Sequence, residues 1–111
     1  MTPEKLKSLM SILLIATGVL HLVVAAVGAP AELKIPLAAF GALYGGLGVF
    51  LRKGGRSAVL ASIAAVATGL VLGGANYLQH GGPTALPVMF LIDIVVLCAG
   101  VLWMMKSGKA A

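Results

Sequence analysis

Four long apolar runs, separated by short polar or glycine-containing turns, constrain the fold of this chain more than any other feature. They cover residues 9–27, 35–51, 58–79 and 86–105, and Asp93 is the only Asp, Glu, Lys or Arg inside them. A helix rises about 1.5 Å per residue, so about 20 residues cross the hydrocarbon core of a bilayer. The runs lack the alternation of membrane β-strands. The sequence therefore predicts an all-α integral membrane protein with four spans.

Composition excludes an ordinary water-soluble domain. Hydrophobic residues make up 60% of the 111 residues and charged residues only 10%, whereas soluble domains carry roughly 25% charged residues. A bilayer tolerates such an apolar surface, provided that backbone groups are hydrogen-bonded within the helices. The lipid bilayer is thus the first expected partner.

The turns between the runs are so short that consecutive helices are expected to be antiparallel neighbours. Residues 28–36 contain a glycine and two prolines and are predicted to end the first span. Residues 52–56 form a basic turn, and residues 81–83 a Gly-Gly-Pro turn. Cleavage of the first run as a signal peptide is disfavoured, because Pro30 would directly follow the scissile bond. We expect one domain, residues 1–111, folded as an antiparallel four-helix bundle.

Basic residues are concentrated on one side of the predicted bundle. The amino-terminal head, the 52–56 turn and the carboxy-terminal tail hold seven of the eight: Lys5, Lys7, Arg52, Lys53, Arg56, Lys106 and Lys109. The opposite side holds only Lys34. Because basic residues near span ends resist translocation, both termini are predicted to be cytoplasmic in a bacterial inner membrane. Trp103, near the same end of the last span, is predicted to be an interfacial anchor.

This distribution of charge also argues against nucleic-acid binding. The basic residues stand singly or in threes at the ends of apolar runs, rather than along one face. The lone cysteine, Cys98, has no partner for an internal disulfide and lies deep in the last run. We expect it to be a small core residue.

Glycines at helical spacing predict where the helices pack closely. Gly41, Gly45 and Gly48 lie along the second run, and Gly69 and Gly73 along the third. In lipid, small residues at this spacing allow helix backbones to approach one another.

Five polar side chains are predicted to form a layer in the outer half of the bundle: His21, Tyr44, Asn76, His80 and Asp93. Counting from the outer helix ends places His21, Tyr44 and Asp93 about 10 Å deep. Asn76 should be shallower, and His80 should lie near the surface. Several share helix faces with the packing glycines, so we expect the layer to point inward.

Asp93 is the strongest of these signals, because a carboxylate in a bilayer is costly unless it is paired, hydrated or protonated. His21 is its candidate partner, by an ion pair or a hydrogen bond, with Tyr44 and Asn76 as further donors. Two interpretations stay open. The layer is either a polar clasp that fixes helix register, or a ligand-binding or proton-linked site.

No enzyme, cofactor or metal site is predicted. The sequence lacks a nucleophile–base arrangement and a phosphate-binding loop. Metal binding would require His21, His80 and Asp93 to converge, without HxxxH or CxxC spacing to support it. Haem ligation would require both histidines at the same depth, whereas their predicted depths differ by nearly 10 Å.

The order of features in residues 37–105 resembles the DoxX-like group of small bacterial four-span membrane proteins. The matching features are Tyr44-Gly45-Gly46, the basic turn, the Gly-Gly-Pro turn and Asp93. Relatives are expected to carry a basic residue late in the third helix, where this chain has Asn76. The resemblance implies an inner-membrane four-helix bundle, sometimes associated with redox partners.

The expected function is that of a non-enzymatic membrane protein. It is either an accessory subunit of a larger complex or homo-oligomer, or a bundle that binds a hydrophobic ligand or lipid beside the polar layer. The alternative is a small proton- or cation-coupled transporter that uses Asp93 and His21.

Overall fold

A computed structural model describes residues 2–28, 31–81 and 85–110, and within them the chain forms four α-helices and no strand. The helices are α1 (Pro3–Val27), α2 (Ala31–Lys53), α3 (Arg56–His80) and α4 (Ala85–Ala110). Each is long and apolar enough to cross a membrane. The longest dimension is 46 Å, close to the roughly 40–45 Å of a bilayer with its headgroups. The predicted all-helical chain with four membrane-length helices is confirmed.

Local sequence signals account for the helix ends. Thr2 caps α1, since its hydroxyl accepts a hydrogen bond from the backbone N–H of Lys5 at 3.2 Å, and Pro3 occupies the first helical position. Helix α3 ends at His80, followed by Gly81 with φ of 70°. That backbone conformation strains other residues and explains glycine at this position. The rest of the predicted Gly-Gly-Pro turn, Gly82 and Pro83, lies outside the described residues.

Helix α2 begins earlier than the sequence suggested. The predicted turn at 28–36 is wrong over most of its length, because α2 starts at Ala31 and contains Pro36. Proline removes only one backbone hydrogen bond there, the one that would end on the Glu32 carbonyl. The segment Ala-Glu-Leu-Lys otherwise consists of good helix formers, with Glu32 in the first turn, where a negative charge suits the helix dipole.

The helices contact one another in a ring: α1 with α2 and α4, and α3 with α2 and α4. The larger core cluster, which includes Met10, Leu51, Val59 and Trp103, takes buried residues from all of these helices. The smaller cluster takes its buried residues from α1, α2 and α4: Val24, Ala25, Leu37, Leu86 and Met89. The buried residues of α3 end at Val66. The second half of α3 is therefore only loosely packed.

Helices α1 and α2 approach most closely at their glycines. A Cβ on Gly18 would lie 2.8 Å from both the Gly41 oxygen and the Gly45 nitrogen. A Cβ on Gly48 would lie 2.9 Å from the Ser11 carbonyl oxygen, and the Ser11 hydroxyl donates a 2.6 Å hydrogen bond to the Gly48 carbonyl. Gly45 offers its backbone to Gly18, but a Cβ of its own would meet no atom within 4 Å.

Gly69 and Gly73, the predicted packing glycines of α3, contact aromatic rings. A Cβ on Gly69 would overlap the Tyr44 hydroxyl of α2, and one on Gly73 would lie 3.1 Å from the Phe90 ring of α4. These two glycines therefore make room for side chains, whereas Gly18, Gly41 and Gly48 make room for a neighbouring helix.

Large apolar side chains are exposed on every helix, among them Ile12, Val49, Val71 and Leu91. Helices with apolar inner and outer faces are suited to lipid. Two predicted positions are corrected. Cys98 is exposed on α4 rather than in the core, and Trp103 is buried in the larger core cluster rather than placed as an interfacial anchor. Helical spacing explains both, since positions 96, 99 and 103 form the buried face of α4.

Candidate ligand-binding cavity

A cavity of about 350 Å³ lies beside the smaller core cluster. Most of its lining residues come from facing sides of α2 and α3: Glu32, Leu33, Pro36, Leu37, Phe40, Tyr44, Gly69, Leu72, Gly73 and Asn76. Helices α1 and α4 contribute His21, Leu86, Phe90 and Asp93. Small-molecule sites commonly have volumes of about 300–1,000 Å³ and apolar walls with a few polar groups.

The cavity lies along the loosely packed half of α3. The buried residues of α3 end at Val66, and the residues of α3 that line the cavity all follow it. Lining residues Pro36 and Leu72 are exposed at the surface, Leu72 by 58%. The cavity therefore reaches the outer surface of the protein between α2 and α3.

His21 is fixed by its own helix. Its Nδ1 lies 2.6 Å from the Thr17 carbonyl oxygen and 3.3 Å from the Thr17 hydroxyl, one turn earlier. A carbonyl oxygen only accepts, so Nδ1 donates to it, and in the neutral form of the ring Nε2 is then the acceptor. The ring also packs edge-on against the Tyr44 ring, with centroids 5.1 Å apart.

Tyr44 connects the cavity to α3. Its side chain is 1% exposed, and its hydroxyl donates a long, 3.4 Å hydrogen bond to the Ala65 carbonyl. The absence of a side chain at Gly69 leaves space for that hydroxyl. Phe40 lies one turn earlier on α2, and the centroids of the Phe40 and Tyr44 rings are 5.6 Å apart. The two rings form part of the cavity wall.

Asp93 is the more buried of the two acids that line the cavity. It is 2% exposed, and its Oδ1 has no hydrogen-bond partner among the described residues. It lies within electrostatic range of the Tyr44 hydroxyl. An acceptor buried without a partner carries the full cost of its desolvation.

Four of the five predicted polar residues thus line one cavity: His21, Tyr44, Asn76 and Asp93. The fifth, His80, is exposed at the end of α3 and is not among the lining residues. The predicted hydrogen bonds to Asp93 are not formed. His21 bonds to Thr17 and Tyr44 to Ala65, because a backbone carbonyl lies within reach of each.

Sequence reasoning missed Glu32 and Thr17. Glu32 was assigned to a turn, although an acid followed by helix formers is a first-turn signal that could have placed it. Thr17 stands four residues before His21, the spacing at which a histidine can reach a preceding carbonyl. Within the described part of the chain, no group of three or more His, Cys, Asp or Glu could hold a metal ion.

No protein-family model, curated protein or solved structure matches this chain. The candidate site accordingly rests on the geometry of the cavity.

Proposed function

We propose that this chain is a non-enzymatic, multi-pass protein of the bacterial inner membrane that binds a hydrophobic small molecule or lipid between α2 and α3. The observation that carries the proposal is the cavity of about 350 Å³, whose walls are mainly apolar and whose lining includes Asp93, a buried acid with no hydrogen-bond partner for its Oδ1 among the described residues. Apolar walls with one fixed polar group bind and orient an amphiphilic molecule. Exposure of Leu72 at the cavity rim provides access from the membrane.

The orientation that we propose is an antiparallel bundle with both termini in the cytoplasm. Contacts of α1 with α2 support it, since Ser11 lies beside Gly48 and His21 beside Gly41. The Lys7 ammonium donates a 2.8 Å hydrogen bond to the Gly54 carbonyl, so the amino-terminal head lies against the basic turn. A reporter that is active only in the cytoplasm should be active when it is fused to the carboxy terminus and when it is fused after Gly54. Activity of a periplasm-specific reporter at either site would contradict the orientation.

Purification in native-lipid discs, followed by mass spectrometry of bound small molecules, tests the binding function. Leu72→Trp should displace the bound molecule, because it adds bulk at the cavity rim without disturbing a buried residue. Leu78→Trp is the matched control, since Leu78 is 87% exposed on the same helix and does not line the cavity. Equal recovery of the same molecules from both variants would contradict binding in this cavity.

The same sample distinguishes an accessory subunit. A stoichiometric partner protein that co-purifies with wild type and Leu72→Trp alike would place this chain in a larger membrane complex. That result would favour the DoxX-like relationship, which we retain as a proposal on the basis of Tyr44-Gly45-Gly46, the basic turn and Asp93.

One observation favours a second function, a small proton- or cation-coupled transporter. Asp93 combines burial with an oxygen that lacks a partner in the described chain, and His21 lines the same cavity. Ionisable groups inside membrane bundles commonly mark ion and proton pathways. Proteoliposomes with an imposed proton gradient test this function. Flux that is lost in Asp93→Asn would favour transport, and flux equal to that of protein-free liposomes would refute it.

A further inference from the structure

The cavity is acidic although the chain is basic. The net charge is +5, yet the lining includes Glu32 and Asp93, two of the three acidic residues. Lysine and arginine are not found among the described residues that line it. Lys34, two residues after Glu32, is exposed and is not part of the wall. A positive ligand group would therefore meet no lysine or arginine among the described residues of the wall.

The polar atoms of the cavity are mainly hydrogen-bond acceptors. Asp93 lines the cavity, and its Oδ1 is buried without a hydrogen-bond partner among the described residues. His21 uses its Nδ1 hydrogen on Thr17, so Nε2 of the neutral ring is an acceptor. Tyr44 uses its hydroxyl hydrogen on Ala65, which leaves oxygen lone pairs. A ligand that complements these groups must bring hydrogen-bond donors.

Aromatic rings in the cavity lining also favour a positively charged ligand group. Phe40 and Tyr44 of α2 and Phe90 of α4 all line the cavity. The faces of such rings attract cations that lie within about 6 Å of the ring centre. Phe90 is held by Tyr77 of α3 in an edge-to-face contact with centroids 5.9 Å apart.

From these three observations we propose that the molecule bound between α2 and α3 carries an ammonium group on an apolar body. The ammonium group lies beside the Asp93 carboxyl group, where it supplies an opposite charge and N–H donors. The apolar body extends along Leu33, Leu37 and Leu72 towards the membrane. This inference rests on the proposed binding function and specifies its ligand class.

A matched probe series measures the charge preference directly. Tritiated decylamine is bound to the wild-type protein in lipid discs and competed with unlabelled decylamine, decanol, decanoate or decyltrimethylammonium, with protein-free discs as background. We expect decylamine to compete about tenfold or more better than decanol, and decanoate to compete least. Weaker competition by decyltrimethylammonium would support a role for N–H donors, and competition equal to that of decylamine would overturn the donor part of the inference.

Charge-neutral variants locate the site. Asp93→Asn should weaken decylamine binding about tenfold or more, and Glu32→Gln, at an exposed position of the rim, should weaken it less. Glu4→Gln is the matched control, because it removes the same charge outside this cavity. Binding unchanged in both Asp93→Asn and Glu32→Gln would overturn the inference even if Asp93→Asn altered the fold, since Glu32→Gln replaces an exposed side chain.

The outcomes separate the two levels of the proposal. Decanol or decanoate binding as tightly as decylamine, with all binding lost in Leu72→Trp, would overturn the ammonium group and retain the cavity as a hydrophobic site. Absence of specific binding by every probe would overturn both. Discs made with and without phosphatidylethanolamine identify the source of the ammonium group, because a lipid headgroup that occupies the site would weaken decylamine binding in the discs that contain it.

Discussion

The closest approach of α1 and α2 leads to a sharp prediction about stability. Gly18→Ala places a methyl group 2.8 Å from the Gly41 carbonyl oxygen and 2.8 Å from the Gly45 nitrogen. Both are backbone atoms, so no side-chain rotation relieves the clash. To restore ordinary contact at 3.4 Å, the helices must separate by about 0.6 Å, the difference between these two distances. A gap of about 0.5–1 Å forfeits roughly a quarter to a half of the attraction between atoms in contact.

We therefore expect Gly18→Ala to destabilise the protein by about 1–3 kcal/mol, the usual cost of overpacking. Alanine is otherwise the better helix former, by about 0.5–1 kcal/mol. Gly45→Ala and Gly46→Ala test this balance, because neither new methyl group would meet an atom within 4 Å. They should be neutral or stabilising, even though Gly45 is one of the glycines predicted to pack closely.

Reversible unfolding in mixed micelles, followed by far-UV circular dichroism, measures all three variants under one condition. The decisive quantity is the difference in unfolding free energy between Gly18→Ala and Gly45→Ala. If Gly18→Ala were as stable as Gly45→Ala, the contact between α1 and α2 would not be as close as described. If Gly45→Ala were the less stable variant, the glycine spacing in the sequence would predict close packing better than the interatomic distances in the structure do.

Three further predictions concern single contacts. Gly69→Ala should displace the cavity tyrosine and weaken ligand binding, measured with tritiated decylamine, whereas Gly74→Ala, whose methyl group meets nothing within 4 Å, should not. Ser11→Ala should cost about 0.6–2 kcal/mol in micelle unfolding, because its hydroxyl bonds across two helices; Ser62→Ala, which loses only a bond within its own helix, should cost less. Cys98, exposed within an apolar helix, should react with a lipid-soluble maleimide and not with a membrane-impermeant one; rapid labelling by the latter would contradict its membrane exposure.

The sequence predicts the helices well because charge and apolar length leave few alternatives. The predicted start of α2 is too late because Pro36 was interpreted as a helix-breaking residue. A proline near the start of a helix removes only one hydrogen bond and is tolerated there. Cys98 was assigned to the core because α4 is apolar on all sides, and its hydropathy does not distinguish a lipid-facing position from a buried one. Membrane helices lose this amphipathic signal.

Counting residues along the helices placed His21, Tyr44 and Asp93 at one predicted depth and Asn76 closer to the surface, and in the structure all four line one cavity. The predicted hydrogen bonds between them are not formed. Their hydrogen bonds depend on distances of a few tenths of an ångström and on competing backbone carbonyls, which the sequence does not encode in any simple pattern. The cavity itself lies along the loosely packed half of α3, which is visible only after the helices are packed.

The stability of Asp93 variants distinguishes the two interpretations that the sequence left open. A polar clasp would hold the helices together through Asp93, so its replacement would destabilise the bundle. In the structure its Oδ1 has no partner among the described residues, and such a buried acceptor costs about 1–3 kcal/mol. Asp93→Leu should therefore leave the unfolding free energy unchanged or raise it by up to about that amount, while decylamine binding is lost. A variant that binds no amine and is also several kcal/mol less stable than wild type would favour the clasp, since a site retained for its ligand sacrifices stability for function.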